Sequence, residues 1–335
     1  MLTIAIPTRN RASYLEKCLR AFLAQIEQNP DVDVKICISD NGSTDSTSAV
    51  VAALQLETDR IRYSRNETNL GYQRNIIRLV EMAETDFLWF FGDDDLPLDD
   101  GLKKVIEKIR AYRAGVYVLM DEETATASHI PEFHSGPDIT GRLLDLCNQF
   151  GWLVLTSNLT RLVVRTDRIK TCAFDKYLTT SFTHSCLAFE AHAFENSVII
   201  RDNIVVTPPR TEAELQAIQQ QWNEERHMVG YYYTVDALEY MAKAVTDDLH
   251  PTFFRLGRNY LWDCYVYQNI LGVLNSHQPQ ESAWPFISRA AALIKDKAYA
   301  KIVEQNAASL LHASRSYSQL RAFLQDAANR ADRPI

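Results

Sequence analysis

The chain carries, at residues 87–97, the run Phe-Leu-Trp-Phe-Phe-Gly-Asp-Asp-Asp-Leu-Pro. A short apolar run that is rich in aromatic residues predicts a buried strand. Three adjacent carboxylates repel one another, and an isolated run of this kind would indicate a solvated acidic turn. Its place directly after a buried strand favours a different interpretation, because hard oxygen ligands suit Mg²⁺ or Mn²⁺ and such an ion bridges to a diphosphate. We refer to Asp93, Asp94 and Asp95 as the acidic motif.

Strands and helices alternate around this run through the first 120 residues. Apolar runs predict strands, and apolar residues at intervals of three and four predict helices. The predicted strands are 2–6, 32–39, 60–64, 87–91 and 115–120. The predicted helices are one from Ser13 to about residue 26, opened by a Ser13–Glu16 capping box, then 46–56, 73–83 and 102–109. Strands that are apolar on both faces imply a parallel sheet covered on both sides.

Polar residues follow these strands at 8–10, 40–43, 66–75 and 93–95. Ligands of such sheets bind beyond the carboxyl ends of the strands, so these segments are expected to converge. Asp40 can accept hydrogen bonds from a ribose or a base edge; Asn41-Gly42 could mark a hairpin, although the helical pattern after it favours a strand-to-helix turn. Arg74 begins a helix, where it can pair with phosphate, or it is an exposed helical arginine.

Beyond residue 120 the pattern is weaker. Residues 151–164 and 198–206 are predicted as strands, with a helix at 185–194 between them, and the chain from about residue 211 is predicted to be helical. Pro208 and Pro209 mark a domain boundary, giving domains at 1–207 and 208–335. The last 50 residues hold eight basic and four acidic side chains, a surplus of +4. These helices would suit a membrane surface, or they pack on the first domain or form a homodimer.

Composition restricts the class of protein. The 335 residues include 43 Asp+Glu and 35 Lys+Arg, a net charge of −8, which argues against nucleic acid as a partner. Only 11 glycines are present, so a Gly-rich phosphate loop is not expected. The six cysteines form no C-x-x-C pair, and neither a zinc site nor a disulfide framework is expected. We find neither a signal peptide nor an apolar stretch of about 20 residues, which predicts a cytoplasmic protein, with contact to the cytoplasmic membrane face left open.

Four ordered motifs resemble those of glycosyltransferase family 2, the inverting transferases with a GT-A type fold. They are Pro7-Thr-Arg-Asn10, Asp40-Asn-Gly-Ser-Thr-Asp45, Asn69-Leu-Gly71 with Arg74-Asn75, and Gly92-Asp-Asp-Asp95. The G-D-D-D-L-P form is similar to the abequosyltransferase-like branch, which builds bacterial surface polysaccharides. The resemblance implies an α/β fold, a GT-A type nucleotide-binding mixed sheet with helices on both faces, followed by a C-terminal helical region. Residues 1–120 would form the nucleotide-sugar half and 121–207 the acceptor half.

The resemblance also implies roles by position. Pro7, Thr8 and Asp40 would line the nucleobase and ribose pocket. The other donor-binding positions are Asn10, Asn69, Gly71, Arg74 and Asp93. Asp94 would be the ligand of Mn²⁺ or Mg²⁺, with Asp93 and Asp95 beside it, and Asp95 would also be catalytic.

Two positions depart from the family pattern. Gly92 replaces the first acid of D-x-D-D, so that either Asp93 supplies the missing contact or the metal site is looser than usual. The E-D pair that normally supplies the catalytic base reads Thr183-His184, after the matching segment Phe174-Asp-Lys-Tyr-Leu178. His184 could be the base, since a neutral imidazole takes a proton near pH 7, or it binds acceptor or is a buried structural histidine. Asp175, Glu190 and the Asp121-Glu-Glu123 cluster are the competing carboxylates.

The resemblance implies a reaction in which an acceptor hydroxyl attacks the anomeric carbon of a nucleoside-diphosphate sugar. The acceptor would be a saccharide on a lipid diphosphate, in the synthesis of a bacterial O-antigen or capsule. Two alternatives remain. A sugar-phosphate nucleotidyltransferase would need a Gly-rich loop after the first strand, where residues 7–10 contain no glycine. A catalytically inactive nucleotide- or carbohydrate-binding protein would account for Gly92 and for the missing E-D pair.

Overall fold

The computed structural model describes residues 1–121, 133, 136–178, 180, 182–214 and 216. The strands are β1 Leu2–Thr8, β2 Val34–Asp40, β3 Ile61–Arg65, β4 Phe87–Phe90, β5 Leu96–Pro97, β6 Val116–Asp121, β7 Ile139–Arg142, β8 Leu162–Arg165 and β9 Asn196–Val206. The helices are α1 Ala12–Glu27, α2 Thr47–Gln55, α3 Tyr72–Met82, α4 Gly101–Tyr112, α5 Leu143–Phe150, α6 Trp152–Thr156, α7 Thr166–Ile169 and α8 Thr183–His192. Every element that was predicted before residue 120 is present, with its ends moved by a few residues.

The strands form one mixed sheet in the order β3-β2-β1-β4-β8-β6-β9-β5, with β7 paired to β9. Strands β3, β2, β1 and β4 are parallel, as their alternation with helices predicts. Strand β8 lies between β4 and β6 and runs antiparallel to both. The five strands that were predicted before residue 120 therefore run in one direction, as expected, because β6 is parallel to β4 across β8. The antiparallel β8 makes the sheet mixed, which confirms the mixed sheet that the family resemblance implies. An apolar run predicts burial, but it does not carry the direction of a strand.

Two apolar cores fill the two faces of the sheet. Helices α1, α2 and α4 cover one face, where Phe22 of α1 meets Trp89 and Phe91 edge to face. Helices α3, α5, α6 and α8 cover the other face, together with Trp152. The strand 87–90 contributes to both cores because its side chains alternate between the two faces. Since both faces of the sheet are covered by described helices, the strand ends are where we look for a ligand site.

Helix α1 begins without the predicted capping box. Its first helical residue is Ala12, Arg11 is the N-cap and makes no side-chain capping bond, and Ser13 lies inside the first turn. The Ala12 amide donates instead to Asp45 Oδ2, at 3.1 Å, from the loop after β2. A carboxylate at a helix N-terminus satisfies a free amide and favours the helix dipole. Helix α1 therefore starts one residue before the predicted Ser13, and its first amide is bound by Asp45 from the loop after β2.

The predicted strand at 151–164 is also wrong over most of its length. Residues 152–156 form α6, residues 159–161 form a 3₁₀ turn, and only β8 is extended. Short apolar runs do not distinguish a buried helix from a strand. Asn158 caps the 3₁₀ turn by accepting a hydrogen bond from the Thr160 amide at 3.0 Å. This turn brings Thr160 to the end of β4, where it contacts the acidic motif.

The described ranges contain no helix with the length and apolarity that a membrane span needs. Their five cysteines are buried free thiols: Cys18, Cys37, Cys147, Cys172 and Cys186. Most of the predicted helical domain at 208–335, including the eight basic residues of the last 50, lies outside the described residues. The domain boundary at residue 207 stays a prediction.

A Gly101→Ala substitution tests the contact of α4 with β9. A Cβ at residue 101 would lie 2.6 Å from the carbonyl oxygen of Ile204, a backbone atom that cannot move without the sheet. We expect a loss of about 1–3 kcal/mol in the free energy of unfolding, although alanine is intrinsically the better helix former. Denaturant unfolding measures this loss. The control, Lys103→Ala, lies on the exposed side of α4, and equal stabilities of the two variants would contradict the packing argument.

Candidate functional site at the carboxyl ends of the strands

The ends of β1 and β4 are joined through Asp93. The Thr8 hydroxyl donates to Asp93 Oδ2 at 2.7 Å, and Arg11 Nη1 donates to Asp93 Oδ1 at 3.1 Å. Asp93 is buried, and this burial raises its pKa, with Asp94 adding to the rise and Arg11 and Thr8 opposing it. Thr8 and Asp93 are both predicted to bind the nucleotide-sugar. The structure brings them together, but they form a hydrogen bond with each other.

Asp95 is held from the other side of the motif. Its Oδ1 accepts a hydrogen bond from the Thr207 hydroxyl at 2.6 Å, and its Oδ2 accepts a short one from the Thr160 hydroxyl. Burial raises the pKa of Asp95, while the two hydroxyls lower it. Because both carboxylate oxygens have donors and the side chain is buried, the structure does not support the prediction that Asp95 is catalytic. Asp95 instead anchors the motif to the 3₁₀ turn and to the end of β9.

The structure gives a physical reason for Gly92. A Cβ at this position would lie 3.1 Å from Asp94 Oδ1, 3.1 Å from Asp95 Oδ2 and 3.2 Å from Thr160 Oγ1. An aspartate here would crowd these oxygens and add a fourth carboxylate to a partly buried cluster. The Gly92 amide also donates to Thr160 Oγ1 at 2.9 Å. The contacts around residue 92 therefore account for a glycine where the D-x-D-D pattern has an aspartate.

Asp94 is the most accessible carboxylate of the motif. Its side chain is 16% exposed, and its Oδ2 accepts from Arg11 Nη1 at 2.8 Å and from Arg210 Nη2 at 2.7 Å. The described residues contain no group of three His, Cys, Asp or Glu side chains that could hold a metal ion. Mg²⁺, however, is usually bound through one or two carboxylates together with substrate phosphates. A single accessible aspartate would fit that chemistry if a substrate diphosphate supplied the other ligands, so Asp94 is the carboxylate of the motif that could hold such an ion.

Asp40 does not face a ligand. It is fully buried at the end of β2, where Oδ1 accepts from the Ser43 amide at 2.8 Å and Oδ2 accepts from the Tyr63 hydroxyl at 2.6 Å. Burial and the hydrogen bond to Asp40 raise the pKa of Tyr63. The prediction that Asp40 binds ribose is not supported in this conformation, because both oxygens are used to hold the turn from β2 into α2. That turn confirms the strand-to-helix alternative for Asn41-Gly42.

Asparagines join the loops after β1, β2 and β3. Asn41 Nδ2 donates to Asn69 Oδ1 at 2.6 Å, and the Gly71 amide donates to the same oxygen at 3.0 Å. Asn10 has a positive φ of 54° and accepts from the Thr44 amide at 2.7 Å through Oδ1. Gly42 has a φ of +74°, and a Cβ there would lie 2.8 Å from the Thr68 carbonyl carbon. The predicted convergence of these loops is therefore present, with Asn10 and Asn69 tying them together.

Arg74 is exposed in the first turn of α3. It lines a cavity of about 330 Å³ with Asn66, Leu70, Phe174 and Asp175, among others. The arginines that pair with the acidic motif are Arg11 and Arg210 instead. Of the competing carboxylates, Asp175 is exposed in this cavity, Glu190 accepts from the Tyr177 hydroxyl, and residues 122 and 123 lie outside the described residues.

His184 lies at the start of α8 and is buried. Its Nε2 is 3.1 Å from the Ser157 carbonyl oxygen, which only accepts, so Nε2 carries the proton. Nδ1 then accepts from the Tyr72 hydroxyl at 2.9 Å. Burial lowers the pKa of His184 to about 4, and the backbone contacts oppose this only in part. Both ring nitrogens are occupied, so the structure supports the alternative of a buried structural histidine and not the prediction of a catalytic base.

Sequence reasoning missed Arg11, Thr160, Thr207 and Arg210, all of which contact the acidic motif. Arg11 directly follows the Pro7–Asn10 motif, so its position after β1 was a usable signal. The other three lie 65 to 116 residues from their partners. Only the sheet order brings them near, and no local pattern in the chain marks them.

Replacing Thr160 by valine removes the hydroxyl that joins Gly92 and Asp95. We expect a loss of about 1–3 kcal/mol in the free energy of unfolding, because a buried amide and a buried carboxylate oxygen lose their partner. Denaturant unfolding measures it. Thr160→Ser keeps the hydroxyl and is expected to lose much less; equal losses in the two variants would show that the hydroxyl does not matter.

The buried neutral His184 predicts a pH dependence of stability. Its pKa is about 4 in the folded protein and about 6.5 in the unfolded chain. Between these values the unfolded chain binds more protons, so this residue lowers stability as the pH falls from about 6.5 to 4, by up to about 1.4 kcal/mol per pH unit. His184→Gln should lose this component when the two pH profiles of unfolding are compared. Parallel profiles would contradict the assigned protonation state.

Comparison with known proteins agrees with the geometry. Residues 3–133 match the model of Glycosyl transferase family 2. Abequosyltransferase RfbV of Salmonella typhimurium is 31% identical over 201 residues, which are 55% of this chain and 59% of that protein. The GalNAc(5)-diNAcBac-PP-undecaprenol beta-1,3-glucosyltransferase of Campylobacter jejuni is 34% identical over 118 residues, 35% of this chain and 37% of that protein. The chain thus spans about three fifths of the first relative and a little over a third of the second.

Solved structures are similar in fold. S. aureus TarS 1–349 in complex with UDP-GlcNAc has a TM-score of 0.62 at 17% identity, over 92% of this chain and 90% of that chain. Mannosyltransferase PcManGT from Pyrobaculum calidifontis, in complex with GDP-Man and Mn²⁺, has a TM-score of 0.54 at 15% identity, over 98% and 86%. At these identities the likeness establishes the fold, a GT-A glycosyltransferase sheet. The resemblance drawn from the four motifs is confirmed for residues 3–133, which contain all four motifs and match the model of Glycosyl transferase family 2.

Proposed function

We propose that the chain is an inverting glycosyltransferase that moves a sugar from a nucleoside-diphosphate sugar to the hydroxyl of a saccharide acceptor. The observation that carries this proposal is the partly exposed Asp94 at the carboxyl edge of the sheet, between two arginines. The match of residues 3–133 to the Glycosyl transferase family 2 model supports the reaction class. The names of the two relatives, an abequosyltransferase and a glucosyltransferase acting on an undecaprenol-linked saccharide, support a lipid-linked acceptor in bacterial surface polysaccharide synthesis.

The donor would lie across the ends of β1, β2 and β4. Pro7, Thr8 and Asn10 form one wall of this edge, and Asn69 and Gly71 form the next through the loop before α3. Arg74 is exposed in the first turn of α3 and would contact the bound nucleotide from there. Asp40 and Asp93 act indirectly, because they hold these walls in place through Ser43, Tyr63 and Thr8.

Asp94 would hold Mn²⁺ or Mg²⁺, with the donor diphosphate completing the coordination. Such an ion, when bound, neutralises the charge that develops on the departing diphosphate. The chain itself contributes fixed positive charge at the same place through Arg11, whose Nη1 already contacts both Asp93 and Asp94. Preorganised charge of this kind lowers the barrier because it needs no rearrangement during the reaction.

The acceptor half would be residues 121–207, as predicted from the resemblance. Its described part places Phe174 and Asp175 with Arg74 around the cavity at the α3 edge, where a saccharide can reach polar and aromatic side chains. The predicted basic helices beyond residue 208 would meet the membrane face that carries the acceptor, or form a homodimer. Both roles concern residues outside the described ones.

An Asp94→Asn variant tests the reaction. We expect at least a hundredfold loss of nucleoside-diphosphate release from a donor panel with Mn²⁺ and a saccharide acceptor, about 3 kcal/mol in barrier height. The amide keeps the size of the side chain but loses its charge. Asp99→Asn, on the exposed turn that follows the motif, is the control and should retain full turnover. Equal rates for Asp94→Asn and wild type would overturn the role of Asp94, and a wild type that binds nucleotide without turnover would favour the inactive binding protein.

A further inference from the structure

The segment after β9, residues 207–214, crosses the acidic motif; we call it the strap. Its first residue, Thr207, donates to Asp95 Oδ1 at 2.6 Å. At its other end Glu214 accepts from the Thr211 amide at 2.7 Å and faces the Tyr14 hydroxyl of α1. The strap is therefore fastened on both sides of the motif, and it lies outside the residues that match the family model.

Arg210 lies between these two attachments and points at the motif. Its Nη2 donates to Asp94 Oδ2 at 2.7 Å, and its side chain is 19% exposed. Its Nε is buried and has no hydrogen-bond partner. The Nε and Nη2 donors form the fork with which arginine binds carboxylate or phosphate bidentately. In Arg210 only one of the two donors of this fork is in use.

A buried N–H without an acceptor is unfavourable, and native proteins rarely keep one without a reason. Asp94 does not supply the second acceptor, since its Oδ2 is already shared with Arg11 Nη1 at 2.8 Å. Arg11 stays on Asp94 Oδ2 and also pairs with Asp93, so Arg210 could exchange partners without leaving Asp94 unpaired. Arg210 therefore has both the geometry and the charge to take an additional anion at this edge.

We propose that Arg210 is a ligand of the donor diphosphate, which it binds through Nε and Nη2 as it leaves Asp94 Oδ2. This inference rests on the proposed function, because that function supplies a diphosphate beside Asp94. Movement of Arg210 would leave Asp94 Oδ2 with Arg11 and with room for a further ligand. Because Arg210 belongs to the strap, binding of a donor diphosphate would thereby change how the strap contacts the acidic motif.

The test compares nucleotide binding by the whole protein in EDTA, where no divalent ion contributes. Calorimetry with UDP, GDP, CDP and dTDP identifies the diphosphate that wild type binds, and the matching monophosphate is then titrated. Arg210→Ala should weaken diphosphate binding about tenfold or more and monophosphate binding much less. Arg210→Lys keeps the charge but loses the paired donors. Its affinity for the diphosphate should lie between those of wild type and Arg210→Ala.

Arg20→Ala is the matched control, because Arg20 is an exposed arginine of α1 that pairs with Glu16 and Glu57. It should bind nucleotide as wild type does. An Arg210→Ala variant with unchanged diphosphate affinity would overturn the proposal, as would equal losses for monophosphate and diphosphate, since either result would leave Arg210 as a structural clasp. If wild type binds none of the four diphosphates in EDTA, this inference is overturned; if it binds none of them with Mn²⁺ either, the proposed function is overturned as well.

Discussion

The three carboxylates of the acidic motif follow a buried strand, where little water reaches them. The protein itself must therefore supply the hydrogen-bond donors and the positive charge that water would otherwise provide. Asp93 and Asp95 are buried, and each uses both oxygens on neighbouring donors. With Arg210, which donates to Asp94, the donors to the whole motif include two arginines and three threonine hydroxyls from five separate places: Thr8, Arg11, Thr160, Thr207 and Arg210. The requirement to neutralise one small volume therefore sets how β1, the turn before β8 and the segment after β9 meet. Asp94, the least enclosed of the three, is left for a ligand.

The contrast between buried, fully hydrogen-bonded side chains and accessible ones also separates the residues that hold the site together from those that can contact a ligand. Asp40 and His184 match positions of functional interest in the family pattern, yet both are buried with every polar atom of the side chain occupied. Their contacts fix the turn after β2 and the junction of α3 with α8. A motif match gives a residue its place at the strand ends, whereas burial and hydrogen bonding decide whether it faces a ligand.

The sequence predicted β1 to β4, β6 and the first four helices because each carries its own pattern of apolar residues. It also predicted that the polar segments converge, since parallel strands share a carboxyl edge. It did not predict β8 between β4 and β6, because Leu162–Arg165 is a short apolar run whose direction depends on its neighbours. Thr160, Thr207 and Arg210 were missed for the same reason: their partners are distant in sequence. Arg11 was closer to recognition, as it follows the first motif directly.

The position of β8 also affects how the chain folds during its synthesis. During synthesis from the N-terminus, β4 pairs with β1, but its other edge has no partner until residues 162–165 have emerged. That open edge belongs to the strand that holds Leu88, Trp89 and Phe90, and unpaired apolar edges promote association between chains. The residues that match the family model, 3–133, end before this partner. A fragment cut at that limit would expose the edge permanently, so the recognisable part of the chain is smaller than the part that needs to fold together.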